Sequence, residues 1–547
     1  MKNKTVYIIG LVLVIIAVVF MFRGTSKLPV IASNTVELSS GASYDLSASY
    51  VTKEIGGKTQ TMLAYNGSIP GPTIHVKQGS EITIHFKNNT DMPQLLHSHG
   101  VRMDNKFDGS QTVQKEIPAG GSFNYTLRFP DAGVYWYHPH AGEVVGQALG
   151  LYGAFIVEPS NPAYFPKVNE EQTLFLSDIP TSNGTININS KTSALMGHYG
   201  NLMLLNGSEN YSLPVKQGEV MRLYVINSAN VRPFNFVIQG AKMKLVGGDN
   251  GAYEKASFVG SILLSPSERA IVDVYFPNVG IYDLQNKTPN TTYTLGQVTV
   301  SSDKVVTSFL QTFNELQSSQ DTIKSIDPFR KYFNQSPDKR LKITIDMMGG
   351  MMNMGSMNGS MMSSQNTNDG TVNLAGMRMS KEQAIEHCKS MPAMAGCDAV
   401  LNPPTTNQAV ATSKDDDIEW EDTMQMMNQM ATTDTVKWKI VDQETGKENM
   451  NIKWELKKDK PFVIEIYNDP KSMHPMQHPI HFHGQRFLVV SRNGVQQTDL
   501  VWKDTTLVKT GETVRIVLDP SNVGEWMAHC HISEHLASGM MFGFSVK

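Results

Sequence analysis

Ten of the 15 histidines fall into four short motifs. They are His97-Ser98-His99-Gly100, Trp136-Tyr137-His138-Pro139-His140, His478-Pro479-Ile480-His481-Phe482-His483-Gly484, and His529-Cys530-His531-Ile532-Ser533-Glu534-His535 with Met540 behind it. Neutral imidazole is the commonest protein ligand for transition metals. Strand side chains alternate faces, so histidines at i and i+2 project from one side. Each His-x-His pair therefore offers two imidazoles to one cluster, and the four pairs offer eight: His97, His99, His138, His140, His481, His483, His529 and His531. A single pair is usually an ordinary surface pair. Four of them, one with a Cys inside, leave that reading little room.

Cys530 stands between two histidines of a pair, so it must point away from the cluster that they serve. A second metal can sit on its side, joined to the cluster through a few covalent bonds, which suits electron transfer. The ligands left for that metal are His478, Cys530, His535 and Met540. Two imidazoles, a thiolate and a weak axial thioether describe a blue-copper site. Zinc would use more cysteines, and the chain has three. Taken singly, a lone Cys is usually a buried small hydrophobe and a Met near a C-terminus usually core.

The elements that must hold these motifs read as short strands. Thr73–Val76, Glu81–Phe86, Ser122–Phe129 and Gly153–Val157 alternate or run apolar between Gly, Pro and Asn. Such spacing predicts a β-sandwich or barrel. Similar blocks follow, with Val220–Asn227, Phe234–Ile238 and Ala270–Phe276 in the second and Phe462–Tyr467, Phe487–Ser491 and Val514–Leu518 in the third. The expected division is an N-terminal segment 1–34, β-domains at 35–160 and 161–303, a linker at 304–338 that is helical around Phe309–Gln317, and a third β-domain at 339–547. That third block is interrupted at 347–432, where methionines spaced by Gly, Ser and Asn break strand periodicity and suggest an insertion. Ser380-x-x-Gln383 reads as the start of a short helix.

Composition narrows the setting. A net charge of −4 and a pI near 6.4 give no case for nucleic acid. The chain has 31 Met, many of them clustered. Cys388 and Cys397 could pair, which fits an oxidising compartment. Lys2 and Lys4 precede 17 largely apolar residues, 6–22. A secretory core is usually about 7–15 residues and a membrane span about 17–25. Arg23 follows directly, with no small-residue cleavage site beside it, so the segment reads as an uncleaved membrane anchor, the alternative being a removed signal peptide. Both place the remainder outside the cytoplasm: periplasmic, cell-surface or secreted.

The four motifs resemble the copper-binding boxes of the multicopper oxidase family. The resemblance extends to Asn66-Gly67-Ser68-Ile69-Pro70-Gly71-Pro72, to Leu264-Ser265-Pro266-Ser267-Glu268-Arg269 and to Trp502-Lys503-Asp504-Thr505. It covers 36–547 apart from the Met-rich stretch, and Met473-His474-Pro475-Met476-Gln477-His478 is most similar to the copper-resistance protein A type. The resemblance implies an all-β chain of three cupredoxin-like Greek-key sandwiches. It implies four coppers: type 1 on His478, Cys530, His535 and Met540; type 2 on His97 and His481; and a type 3 pair on His99, His138, His140, His483, His529 and His531. It also implies dioxygen as the electron acceptor. Asp108 matches an acidic residue near the family's cluster, although Asp108-Gly109 is also a turn dipeptide. Two departures stand out. Ser98 replaces a larger residue inside the first pair. Leu536 stands where other bacterial members carry a proton-delivering acid, which turns attention to Glu534 or water as the proton route.

The boxes do not name the electron donor. Thioethers favour Cu(I), and Met476 and His474 precede His478 by even numbers of residues, so an extended strand would put all three on one face. The expected reaction is oxidation of Cu(I), with Met476 and His474 as substrate-copper residues. The alternatives are a laccase acting on phenols and, from another class, a non-enzymatic copper store. A store explains the methionines but not the eight-histidine set.

Overall fold

The computed structural model describes residues 28–347 and 417–547, together with 371–374, 377–380 and Lys389. Three pairs of facing β-sheets follow one another along the chain. In the first pair, one sheet is built on the strands Ser43–Ile55, Glu81–Asn88 and Ser122–Arg128, and the other holds the first two histidine motifs. In the second and third pairs the six-stranded sheets have the same order of contacts: antiparallel, parallel, then three antiparallel. The five-stranded sheets of those pairs also match, with one parallel edge and three antiparallel contacts. Parallel neighbours reached by crossing between sheets give the Greek-key wiring of a sandwich. The repeat inferred from strand spacing is thus a repeat of topology.

Four strands and one short helix carry the motifs, and another short helix follows the second motif. They are β1 (Leu96–His99), β2 (Gly133–Pro139), α1 (Glu143–Ala148), β3 (His478–Phe482), β4 (Gly524–Cys530) and α2 (Ser533–Ala537). All residues of β1, β2 and β3 are buried, because each strand lies between its own sandwich core and a neighbouring sandwich. β1 pairs with β2 so that His97 faces His138, and β3 pairs with β4 so that His481 faces His529. The antiparallel register therefore sets the imidazoles of each sandwich side by side.

The insertion differs from expectation at both ends. Met347 closes the strand Lys339–Met347, pairs with Val436 and is buried. Residues 417–432 also pack: Ile418 and Ala431 are buried, and Met424 and Met427 lie against the core that holds Cys530. The buried Asn428 bonds the backbone of Met196 and Gly197. Apolar contact and satisfied polar groups, not periodicity, tie this stretch down. Between these ends, 371–374 and 377–380 form a two-stranded hairpin. Ser380 closes it; the helix expected to follow lies outside the described residues, as do the Cys388–Cys397 pairing and the apolar run 6–22. The linker is helical at Leu310–Asn314 and again at Gln320–Ile326. Among the described residues no helix is long and apolar enough to cross a membrane.

Candidate metal centres

The eight paired histidines converge at the seam of the first and third sandwiches, and each is buried. Their donor atoms fall into groups: His99 with His138 and His531, His140 with His483 and His529, and His97 with His481 beside His99. Hydrogen bonds to carbonyls fix the tautomers, since a carbonyl can only accept. Nδ1 of His97 donates to Asp108 O (2.7 Å), of His138 to Pro139 O (3.0 Å), of His481 to Asp504 O (2.9 Å) and of His529 to Cys530 O (2.8 Å). All four are left with an Nε2 lone pair inside the seam. Nε2 of His97, His138 and His481 has no protein partner. Nε2 of His529 lies 2.9 Å from Nε2 of His483, whose Nδ1 meets the Asp108 carboxylate at 3.0 Å. Two lone pairs facing each other at that distance repel unless a cation lies within reach of both.

Burial and the neighbouring imidazoles hold His97, His99, His138, His483, His529 and His531 well below the ordinary histidine range. They are neutral, as metal ligands must be. An unpartnered buried polar atom costs on the order of 1–3 kcal/mol, so an array of them is stable only when something binds it. These residues fit a set of closely spaced metal ions.

The fourth motif builds the second site. Past β4, α2 turns the chain so that His535 returns beside Cys530. Cys530 Sγ lies 3.5 Å from Nδ1 of His478 and 3.7 Å from Nδ1 of His535, and those nitrogens are 3.2 Å apart. The centre of such a triangle is about 2 Å from each donor, a metal–nitrogen bond length. The backbone N–H of Ile532 donates to Sγ, a bond that favours thiolate. Burial first, and then the carboxylates of Glu143 and Glu534, push the Cys530 thiol up, so without a cation it stays protonated. Met540 is fully buried, and its backbone bonds both Cys530 and His535. Trp438 packs on both His478 and His535. Ile480 pairs with Cys530 while His481 pairs with His529, so the two sites lie on opposite faces of one sheet.

Asp108 is buried, bonds His97 through its carbonyl and His483 through its carboxylate, and is raised to about 7 by burial. It is more than a turn residue. Gly109 beside it is required, because a Cβ there would lie 1.9 Å from Leu96 O at a φ of +74°. Glu534 is fully buried and accepts from His198 Nδ1 at 2.6 Å. Met476 is fully buried and His474 nearly so. Residues 471–474 form a turn and bends and 475–477 carry no regular element, so His474 and Met476 lie before the strand that begins at His478, with Pro475 between them. His474 still reaches the site, because Trp438 touches both His474 and His478.

Other residues carried no site signal in the sequence. Glu143, on α1, lies 3.8 Å from His531 and is raised to about 8 by burial and then by Glu534. Gln111 meets His140 at 3.2 Å. Asp504 and Thr505 touch His99 and His481. Only the last two sat in a motif visible beforehand.

Sandwiches of this topology with a thiolate–imidazole site backed onto an eight-histidine cluster define a metalloprotein built for electron transfer. Multicopper oxidase family models match residues 47–162, 164–308 and 417–547. The chain is 25% identical to multicopper oxidase mco of Staphylococcus aureus, covering 90% of this chain and 87% of that protein. It is 31% identical to copper resistance protein A of Pseudomonas syringae pv. tomato over 147 residues, 27% of this chain and 24% of the other. A multicopper oxidase from Campylobacter jejuni, described as a metallo-oxidase, shares the fold with a TM-score of 0.66 at 23% identity, covering 95% and 96% of the two chains. The chain belongs to the multicopper oxidase family. It is an oxidoreductase, and its cofactor is copper.

Proposed function

We propose that this multicopper oxidase is a cuprous oxidase that serves copper tolerance, taking electrons from Cu(I) at a type 1 copper and passing them to dioxygen at a trinuclear cluster. Four Cu(I), one O2 and four protons give four Cu(II) and two waters. When bound, copper supplies the one-electron redox steps. His478, Cys530, His535 and Met540 hold type 1; His97 and His481 hold type 2. His99, His138 and His531 hold one type 3 ion, and His140, His483 and His529 the other. The observed donor groups support this division. Cys530 and its flanking histidines carry electrons across the sheet. Asp108 and Glu534 serve as proton relays, supported by the burial of both, by the contacts of Asp108 with His97 and His483, and by Leu536 at the position where related oxidases carry an acid.

The observation that carries the substrate reading is the concentration of thioethers on the type 1 side. Met476 and Met540 share the core of Cys530, Met424 and Met427 pack against it, and Met426, Met430 and Met473 stand exposed nearby in sequence. His474 adds a buried neutral imidazole, lowered to about 4 by burial, whose Nε2 has no partner. Soft donors bind Cu(I) and release Cu(II). We place the working protein outside the cytoplasm, held by residues 6–22. Met476→Leu keeps volume and removes the soft donor. KM for Cu(I) should rise by about ten-fold, the worth of one such contact at about 1.4 kcal/mol, with the blue spectrum and phenol oxidation unchanged. Equal losses on Cu(I) and on a phenol would make Met476 a packing residue, and a phenol turned over better than Cu(I) by the native chain would favour a laccase.

A further inference from the structure

Two sequence motifs remain without a role: Leu264–Arg269 in the middle sandwich and Trp502–Thr505 in the third. The middle sandwich supplies none of the cluster's histidines. Yet Arg269 is buried and reaches from it into the seam. Its Nη1 and Nη2 donate to the two oxygens of Asp504 at 2.7 and 2.6 Å, and its Nε donates to Val134 O of β2 at 3.0 Å. One guanidinium thus ties all three sandwiches together beside the copper ligands.

Asp504 uses what Arg269 holds in place. Its Oδ1 lies 3.0 Å from His99 Nε2, and Thr505 Oγ1 is also 3.0 Å from that nitrogen. Thr505 Oγ1 is 3.1 Å from His481 Nδ1, which also donates to Asp504 O. His99 and His481 come from different sandwiches and stack at 3.7 Å, 20° from parallel. The clip gives His99 a distinct tautomer. The carboxylate draws the proton to Nε2, so the lone pair is on Nδ1, which has no protein partner. The packing leaves no slack: a Cβ at Gly100 would lie 2.2 Å from Asp504 Oδ2 and 2.8 Å from Arg269 Nη2.

We infer that Arg269 is a positioning residue for the trinuclear cluster: through Asp504 and Thr505 it sets the tautomer and orientation of His99 and His481, so the middle sandwich governs copper retention at a site to which it gives no ligand. This rests on the proposed ligand roles of His99 and His481. Arg269→Lys keeps the charge but cannot make the two-point contact. Partners behind metal-ligating histidines are typically worth ten- to a hundred-fold in affinity. The copper-loaded variant, dialysed against a chelator, should lose trinuclear copper about ten- to a hundred-fold more readily than the native chain. Copper analysis and the type 2 electron paramagnetic resonance signal read that loss, while blue absorption reports type 1 in the same sample. Thr505→Val removes the second arm of the clip without touching a charge, and it should show the same selective loss more weakly. Parallel loss of type 1 and trinuclear copper would make Arg269 merely a stability residue. Native-like retention in Arg269→Lys would overturn the inference, as would native-like retention in Thr505→Val if Arg269→Lys does not fold. If His99→Ala and His481→Ala keep full trinuclear copper, the ligand assignment fails instead.

Discussion

Cys530 and Glu143 show how one side chain's surroundings set its chemistry. Cys530 is fully buried, and burial favours its neutral thiol. Only a cation in the triangle with His478 and His535 makes the thiolate the stable form. Cys530→Ser should therefore abolish both the intense blue absorption and turnover, since the hydroxyl is a poor copper ligand and the electron path starts at sulfur. A retained blue band would refute the type 1 assignment. Glu143 belongs to the opposite case, a buried acid raised from 4.5 to about 8. Its folded form binds the proton more tightly than its unfolded form. The stability it contributes is complete below pH about 4.5 and lost as pH rises towards about 8, at up to about 1.4 kcal/mol per pH unit. In the copper-free protein, Glu143→Gln should flatten the decline of Tm across that window. An unchanged slope would mean that Glu143 is not the titrating group.

At the scale of elements, register does the positioning. β1–β2 and β3–β4 are antiparallel pairs in which His97 meets His138 and His481 meets His529. A one-residue slip would turn each strand's side chains to the opposite face and exchange cluster donors for apolar neighbours. The stretch after the insertion is an element of the same core, because Asn428, Ala431 and Met427 bind it there. Deleting 348–416 should therefore keep the fold and blue colour, and should lower activity on dilute Cu(I) more than on phenols. Extending the deletion through Met430 should instead destabilise the chain by about 2–5 kcal/mol, the cost of emptying a buried site of that size, read as a fall in denaturation midpoint. Equal stability of the two deletions would show that residues 417–430 do not support the core.

On the scale of the whole molecule, the cluster is a joint. The first and third sandwiches each supply four of its imidazoles, and Arg269 of the middle one contacts both. Ligands that bind only the folded state stabilise it, and here they also hold two domains together. Removing copper should speed amide exchange at Leu96–His99 and His478–Phe482. Strands in the centre of the middle sandwich, such as Val220–Asn227, should exchange unchanged. Uniform acceleration through all three sandwiches would show that copper acts on global stability and not on the seam.

The histidine motifs, the lone Cys530 and the strand punctuation were legible in the sequence because they follow local rules: alternate faces, short strands and donor chemistry. Those rules determined the fold class, the copper chemistry and which side chains offer ligands. They set the Cys530 site apart from the eight-histidine cluster, but the division of those eight came only from the family resemblance, because their grouping depends on two sheets meeting across a seam. Nor could they find Glu143, an ordinary helix-start acid until α1 packs beside His531, or the hold of 417–432 on the core. His474 and Met476 show the limit of periodicity, which placed them on an extended strand, whereas the strand of the third motif begins only at His478. Arg269 and Asp504 lie 235 residues apart, and only folding creates the buried, low-dielectric contact in which their pairing can orient His99.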